Sequence, residues 1–293
     1  MNEHGRLAER FELHRGHLRA VAYRMLGAPG EADDAVQEAW LRLGRIDVGE
    51  VENLAGWLTT VVSRVCLDML RSRRSRREHL VGQQVPEQVR DADGGDPEQG
   101  ALRVDSVGRA LLVVLDRLSP AERVAFVLHD MFAVPFDQIA AIVERSPVAT
   151  KKLASRARRR VRGTATVPDV ELVRHRRVVD AFLAASRGGD LNALLAVLAP
   201  EVVRRADPAA LPPGAATEIR GARAVAEETV VFGRRARFAA PALVNGSVGI
   251  VVALAGRLLL VLAVTVEGER IAEYEVIADP ARLRRLELAV LSY

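Results

Sequence analysis

Between Ser146 and Gly163 the chain reads SPVATKKLASRARRRVRG, with seven basic residues and no acid. Lys151, Lys152, Arg156, Arg158, Arg159, Arg160 and Arg162 carry that charge, and these two lysines are the only ones in the chain. Ammonium and guanidinium groups at this density are suited to neutralising phosphate, with the guanidinium fork binding two oxygens at once. A second block, Arg71 to Arg77, holds five arginines without an acid, whereas Glu31 to Glu52 holds seven acids against Arg42 and Arg45. Net charge is only +4 over 293 residues, so what matters is this sorting, which offers separate surfaces to separate partners. Acid–base catalysis finds little to work with. Beyond Ser186 there is no histidine, and the polar set suited to it is Tyr274 with Glu273, Glu275 and Asp207. Strand alternation would turn Tyr274 away from both glutamates. Cys66 is the single cysteine, which excludes an internal disulfide and a thiolate-rich metal site and suits a reducing cytoplasm. No catalytic residue, metal site or cofactor is expected.

The elements that must position these charges follow from apolar spacing. Leu18, Val21, Ala22 and Met25 repeat as one helix face, which Gly27-Ala28-Pro29-Gly30 ends. A second helix puts Ala32, Ala35, Val36, Ala39 and Leu43 inward, leaving an acidic outer face. Asn53 is placed to cap a third, whose Leu54, Trp57, Leu58, Val61 and Val65 face inward before it runs out into the arginine block. Residues 80–100, rich in Gly, Gln and acids, read as a linker. Val104, Val107, Leu111, Val114, Leu115 and Leu118 mark a further helix. Next, Ser119, Pro120 and Glu122 spell a capping box with proline at the first helical position. Phe136, Ile139, Ala140 and Val143 mark a short helix, and only Glu144-Arg145 separates it from a second cap at Ser146-Pro147. Two helices joined so tightly are a helix-turn-helix. Its second helix has an apolar stripe at Ala149, Leu153, Ala157 and Val161. Its N-terminal residues Thr150, Lys151, Lys152 and Ser155 would lie against base edges, and its later arginines against the backbone.

Beyond Pro168 two helices, a strand (EVVRRAD), a third helix and four strands are expected, with turns at Asn245-Gly246, Gly256-Arg257 and Glu267-Gly268. That order predicts a curved antiparallel sheet around helices. The segment Ser247–Val266 approaches the ~20 residues of a membrane span, but Gly256-Arg257 divides it into two valine-rich runs of strand length.

HRGHLRAVAYRMLG, DAVQEAWLRL and WLTTVVSRVCLDMLRSRR resemble region 2 of the extracytoplasmic-function sigma factors of bacterial RNA polymerase. LDRLSPAERVAFVLHDMFAVPFDQIAAIVERSPVATKKLASRARRRV resembles their region 4. Residues 168–293 are similar to the SnoaL-like, or NTF2-like, extension of the sigma factor J-like subgroup. The resemblance implies a multidomain chain: region 2 over 1–79, the linker over 80–100, region 4 over 101–163, both regions all-α, and an α+β cone over 168–293.

It also implies roles. Asp34, Gln37, Glu38 and Leu41 would dock on the core polymerase clamp, and region 4 would meet the flap. Asn53, Trp57, Thr60 and Arg64, with the loop from Asp47, would read a flipped base of the minus-ten element, and Arg71, Arg73 and Arg74 would hold phosphates. Helical spacing by itself makes Trp57 a core residue. Ser146, Thr150, Lys151, Lys152, Ser155, Arg156 and Arg159 would meet the minus-thirty-five element, although Val148-Ala149-Thr150 stands where the family commonly has Gly-Thr-Val. Asp279, Pro280, Arg282 and Leu283 keep the shape of the subgroup's late motif and would form the regulatory contact. The implied partners are core RNA polymerase, promoter DNA and a small-molecule ligand in the cone, with no membrane. Two other readings use the same residues: a helix-turn-helix regulator acting without polymerase, and an enzyme or small-molecule sensor carrying a DNA-binding region.

Overall fold

The structure, a computed structural model, describes residues 3–45, 51–79, 106–254 and 256–291. The linker expected over 80–100 and the start of the loop from Asp47 lie outside these residues. The chain divides into two compact units, one of residues 1–103 and 118–158, the other of residues 104–117 and 159–293. In chain order the helices are α1 (Glu3–Leu26), α2 (Pro29–Leu43), α3 (Leu54–His79), α4 (Ser106–Asp116), α5 (Pro120–Phe126), α6 (Phe136–Val143), α7 (Pro147–Arg162), α8 (Asp169–Gly188) and α9 (Leu191–Val197). Then come β1 (Leu198–Ala206), β2 (Glu218–Arg220), α10 (Ala222–Phe232), β3 (Ala239–Val244), β4 (Ser247–Leu254), β5 (Arg257–Glu267), β6 (Arg270–Ile277), α11 (Pro280–Arg285) and β7 (Leu288–Ala289).

In the first unit α1, α2 and α3 pack against one another, and α3 also packs on α5 and α6. Leu18, Val21, Ala22 and Met25 of α1 are fully buried, and α2 buries Ala32, Ala35, Val36, Ala39 and Leu43, the face its spacing marked. Asn53 caps α3 as expected, its Oδ1 accepting from Gly56 N at 2.9 Å. The capping box at Ser119 and Glu122 forms in both directions, an arrangement whose side-chain cap contributes about 1 kcal/mol. A π-helical turn, Val127–Met131, extends α5.

The second unit is built on a seven-stranded sheet in the order β2-β1-β6-β5-β4-β3-β7. Strands β3 to β6 form the expected antiparallel meander. Asn245 and Gly246, both at positive φ, make its first turn. Two short strands, β2 and β7, extend the edges. The sheet is not wholly antiparallel: β1 runs parallel to β6, because α10 and the four strands β2 to β5 intervene between them and carry the chain back in the same direction. Helices α8, α9 and α10 close over one face, and their Val179, Phe182, Leu194 and Val225 share a core with Val202, Ile250 and Ile271 of the sheet. This is the α+β cone expected of the C-terminal part.

Helix α4 belongs to this second unit and packs on β3, β4, β5 and β7. It buries Ala110, Leu112, Val113, Val114 and Leu115, more than the single stripe its spacing suggested. Near the end of α7, Val290 N donates to Val161 O at 2.8 Å. Gly163 follows at φ +61°, where a Cβ would collide with that of Ala289, so only glycine fits this approach.

Candidate nucleic-acid interface

The helix-turn-helix lies within the first unit up to Arg158, and the last turn of α7 belongs to the second. Helix α6 ends at Glu144, which takes the left-handed conformation (φ 56°) and lets Arg145 N return to Ala140 O. Ser146 then caps α7, its Oγ accepting from Ala149 N at 3.2 Å. Burial along α7 keeps Ala157 and Val161 of the expected stripe and shifts its first half by one position. Thr150, Ala154, Ala157 and Val161 are buried, while Ala149 and Leu153 are only partly covered. Thr150 is fully buried and donates its hydroxyl to Ser146 O at 3.0 Å. It therefore stands on the packing side of α7, and a base edge is out of its reach.

Lys151, Lys152 and Ser155 are exposed, as is Arg159 further along the same helix. Not every cation of α7 is equally available. Arg156 Nε donates to Glu122 Oε1 at 3.1 Å, so the carboxylate that completes the capping box also anchors α7. Arg158 grips Asp130 with two bonds, 2.7 and 3.1 Å, and that hydrogen bonding raises its pKa above the ordinary arginine value.

The α3 residues are spread along that helix. Asn53 is committed to its cap, Thr60 donates to Gly56 O, and Arg64 is exposed with Nη2 on Ala141 O at 3.2 Å. Trp57 is half-buried and stands outside the fully buried core. Arg71 lies 3.6 Å from Asp68 and 3.9 Å from Glu144. Arg73 pairs with Glu31 and reaches Leu26 O at 3.2 Å, while Arg74 is exposed.

On α2, Asp34, Gln37 and Leu41 are exposed, and Glu38, partly covered, pairs with Arg42 at 2.9 Å. Spacing of three and four residues puts the four on one side of the helix. Trp40, which sits among them in sequence, packs instead on Phe11 with ring centroids 5.0 Å apart.

In the second unit Asp279 caps α11 and Arg282 binds both Asp207 (2.5 Å) and Glu275 (2.8 Å). The Asp207 carboxylate also accepts from Ala278 N and Asp279 N, each at 3.0 Å. Burial pushes Asp207 upward, but these bonds outweigh it and hold its pKa below the ordinary value. Leu283 contributes its carbonyl, which accepts from Arg117 Nη2 at 2.7 Å.

Tyr274 does face away from Glu273 and Glu275, which pair with Arg205 and Arg282. It lines a cavity of about 130 Å³ inside the cone together with Arg204, Glu228 and Thr229. Those three were not singled out from the sequence. The available signal was Arg204 itself, an arginine in phase with inward-facing Val202 and Ala206. It is answered by Glu228 Oε2 at 2.7 Å. No group of metal-ligating side chains occurs among the described residues, and none of their helices is long and apolar enough to cross a membrane.

Comparison with known proteins gives matches to Sigma-70 region 2 over residues 10–76 and to Sigma-70, region 4 over residues 108–161. "Probable ECF RNA polymerase sigma factor SigI" of Mycobacterium tuberculosis is 40% identical over 214 residues, 71% of this chain and 72% of that protein. The ECF RNA polymerase sigma factor SigJ of the same species is 41% identical over 249 residues, 82% of this chain and 78% of that protein. Among solved structures, the crystal structure of the M. tuberculosis extracytoplasmic function sigma factor SigJ aligns at 34% identity and a TM-score of 0.46, covering 94% of this chain and 98% of that one.

Proposed function

The chain belongs to the extracytoplasmic-function RNA polymerase sigma factors and serves transcription initiation, and from that premise we propose how its surfaces divide the work. Helix α7 reads the minus-thirty-five element through Lys151, Lys152 and Ser155, with Arg159 further along and Ser146 setting the start of the helix. The observation that carries this reading is the lysine pair, which stands exposed in the first turns of the second helix of a capped helix-turn-helix. Such a position suits base edges and phosphates of the major groove. Arg156, tethered to Glu122, serves as a positioning group there. Asn53, Trp57, Thr60 and Arg64 meet the minus-ten element, and Arg71, Arg73 and Arg74 supply phosphate contacts. The half-exposure of Trp57 leaves ring surface for a base to stack on. Asp34, Gln37, Glu38 and Leu41 form the face that meets core polymerase, where exposed acids beside an exposed leucine fit a basic, partly apolar groove.

The C-terminal cone modulates that activity. Helix α4, whose residues 108–116 fall in the region 4 match, packs on the cone's own sheet. The segment Asp279, Pro280, Arg282 and Leu283 is where Arg117 is held. A small molecule in the cone is the third element of this proposal, supported by the cavity around Tyr274.

The test is transcription in vitro with purified core polymerase on a genomic promoter library. The full chain is compared with K151E/K152E and with D34R/E38R. Promoter-specific transcripts are expected from the full chain alone. Core binding should survive in K151E/K152E and be lost in D34R/E38R. If neither substitution lowers specific transcription, the proposed faces are wrong.

A further inference from the structure

The cavity of the C-terminal cone, at about 130 Å³, is close to the ~150 Å³ of an engineered hydrocarbon-lined cavity that takes up benzene. Most of its wall is apolar, with Phe182, Leu183, Ile250, Val252, Leu260 and Leu262 among the lining residues. The polar atoms in that wall can be followed one by one. Arg204 gives Nε and Nη2 to the two oxygens of Glu228 and Nη1 to Ala216 O, so the two charges answer each other. Ser186 donates its hydroxyl to Phe182 O at 2.7 Å. Thr229 donates its own to Val225 O, also at 2.7 Å.

That last bond decides the orientation of the next. Thr229 Oγ1 and Tyr274 Oη lie 3.2 Å apart, and either could donate by distance alone. With the threonine proton committed to Val225, the proton between them is the tyrosine's. Tyr274 Oη is left with lone pairs and no proton to offer. Burial pushes this phenol up to about 12, with Thr229 pulling the other way, so it stays neutral at physiological pH. Among the described side chains of the wall, Tyr274 Oη is thus an acceptor, and the cation, Arg204, is already paired with Glu228.

Resting on the reading that the cone holds a small molecule, we propose that its ligand is a neutral, ring-sized apolar compound carrying one hydroxyl or N–H donor, whose proton Tyr274 Oη accepts. A carboxylate would be buried against acceptors, with the Arg204 charge already answered by Glu228, at a cost the cavity does not offset. A pure hydrocarbon would fit the volume but leave the acceptor unused.

Binding is measured by calorimetry on the full chain with phenol, toluene, benzaldehyde and benzoate, a set matched in ring size and differing in the polar group. Phenol should bind and benzoate should bind at least a hundredfold more weakly. In Tyr274→Phe the preference for phenol over toluene should fall about tenfold, equal to ~1.4 kcal/mol. In Thr229→Val the tyrosine proton is released, and benzaldehyde, which only accepts, should gain about tenfold relative to phenol. Circular dichroism confirms that both variants are folded. If toluene binds and the phenol-to-toluene ratio is the same in Tyr274→Phe, the donor class is wrong while the cavity reading survives. Tightest binding by benzoate overturns the class as well. If none of the four probes binds, the small-molecule reading of the cone fails and the proposal fails with it.

Discussion

Arg117 donates to the carbonyl oxygens of Leu283 and Leu286 at 2.7 and 3.0 Å, joining the residue just past α4 to the far end of the chain. Both acceptors lie at the C-terminal side of α11, where carbonyls run short of helical partners, Leu283 O also accepting from Leu286 N at 3.4 Å. A guanidinium satisfies two of them at once. Burial lowers the Arg117 pKa from its ordinary value, against the pull of Asp116. Replacing Arg117 with Met should remove about 2 kcal/mol of unfolding free energy, the scale of hydrogen bonds from a charged donor. Urea denaturation should show a lower midpoint with an unchanged slope, and hydrogen exchange in α4 should accelerate.

Lys151→Gln with Lys152→Gln should flatten the dependence of log affinity for promoter DNA on log salt by about 2 units, one for each phosphate that is no longer neutralised. Thr150→Val should leave the preferred minus-thirty-five sequence unaltered, because the hydroxyl is turned inward onto Ser146 O. Selection from a randomised promoter element reads both outcomes.

The α7 helix shows where sequence reasoning works and where it does not. On α2 the inward face alternates cleanly with acids, so Ala32, Ala35, Val36, Ala39 and Leu43 could be read without a structure. On α7 alanines fall at positions 149, 154 and 157, so two stripes one residue apart fit equally well. Packing chose the one through Thr150, whose hydroxyl is satisfied locally and costs little to bury. The Arg204–Glu228 pair was illegible for another reason. It links strand β1 to helix α10 across the cone, and the register that brings them together is tertiary. Strands β2 and β7, of three and two residues, carry too few positions for any alternation.

Asp207→Asn should destabilise the second unit at neutral pH. The folded pKa of Asp207 lies below its ordinary value, so its contribution is present above about pH 4, the unfolded carboxylate range, and is lost as pH falls through the folded value. Melting temperatures of wild type and variant should therefore differ at pH 7 and converge on acidification towards pH 3. A constant gap over that range would show that the carboxylate charge is not what matters.

Cys66 is fully buried in α3, and burial pushes its thiol up to about 12. The reactive thiolate is scarce at neutral pH and has no access to solvent. A chromogenic disulfide reagent should leave the native chain unmodified over hours and titrate one thiol within minutes in denaturant. Rapid reaction of the native chain would place Cys66 at an opening of the α1–α3 bundle.

The position of α4 in the second unit bears on how the chain comes off the ribosome. Residues 106–116 are synthesised early, but β3 and β7, on which they pack, end at Val244 and Ala289. At ~5–20 residues per second, α4 waits on the order of ten to thirty seconds for its last sheet partner. Over that interval Leu112, Val113 and Leu115 lack part of their native cover. The nascent chain thus carries an apolar helix whose covering surface is completed only late in synthesis, when β7 has been made.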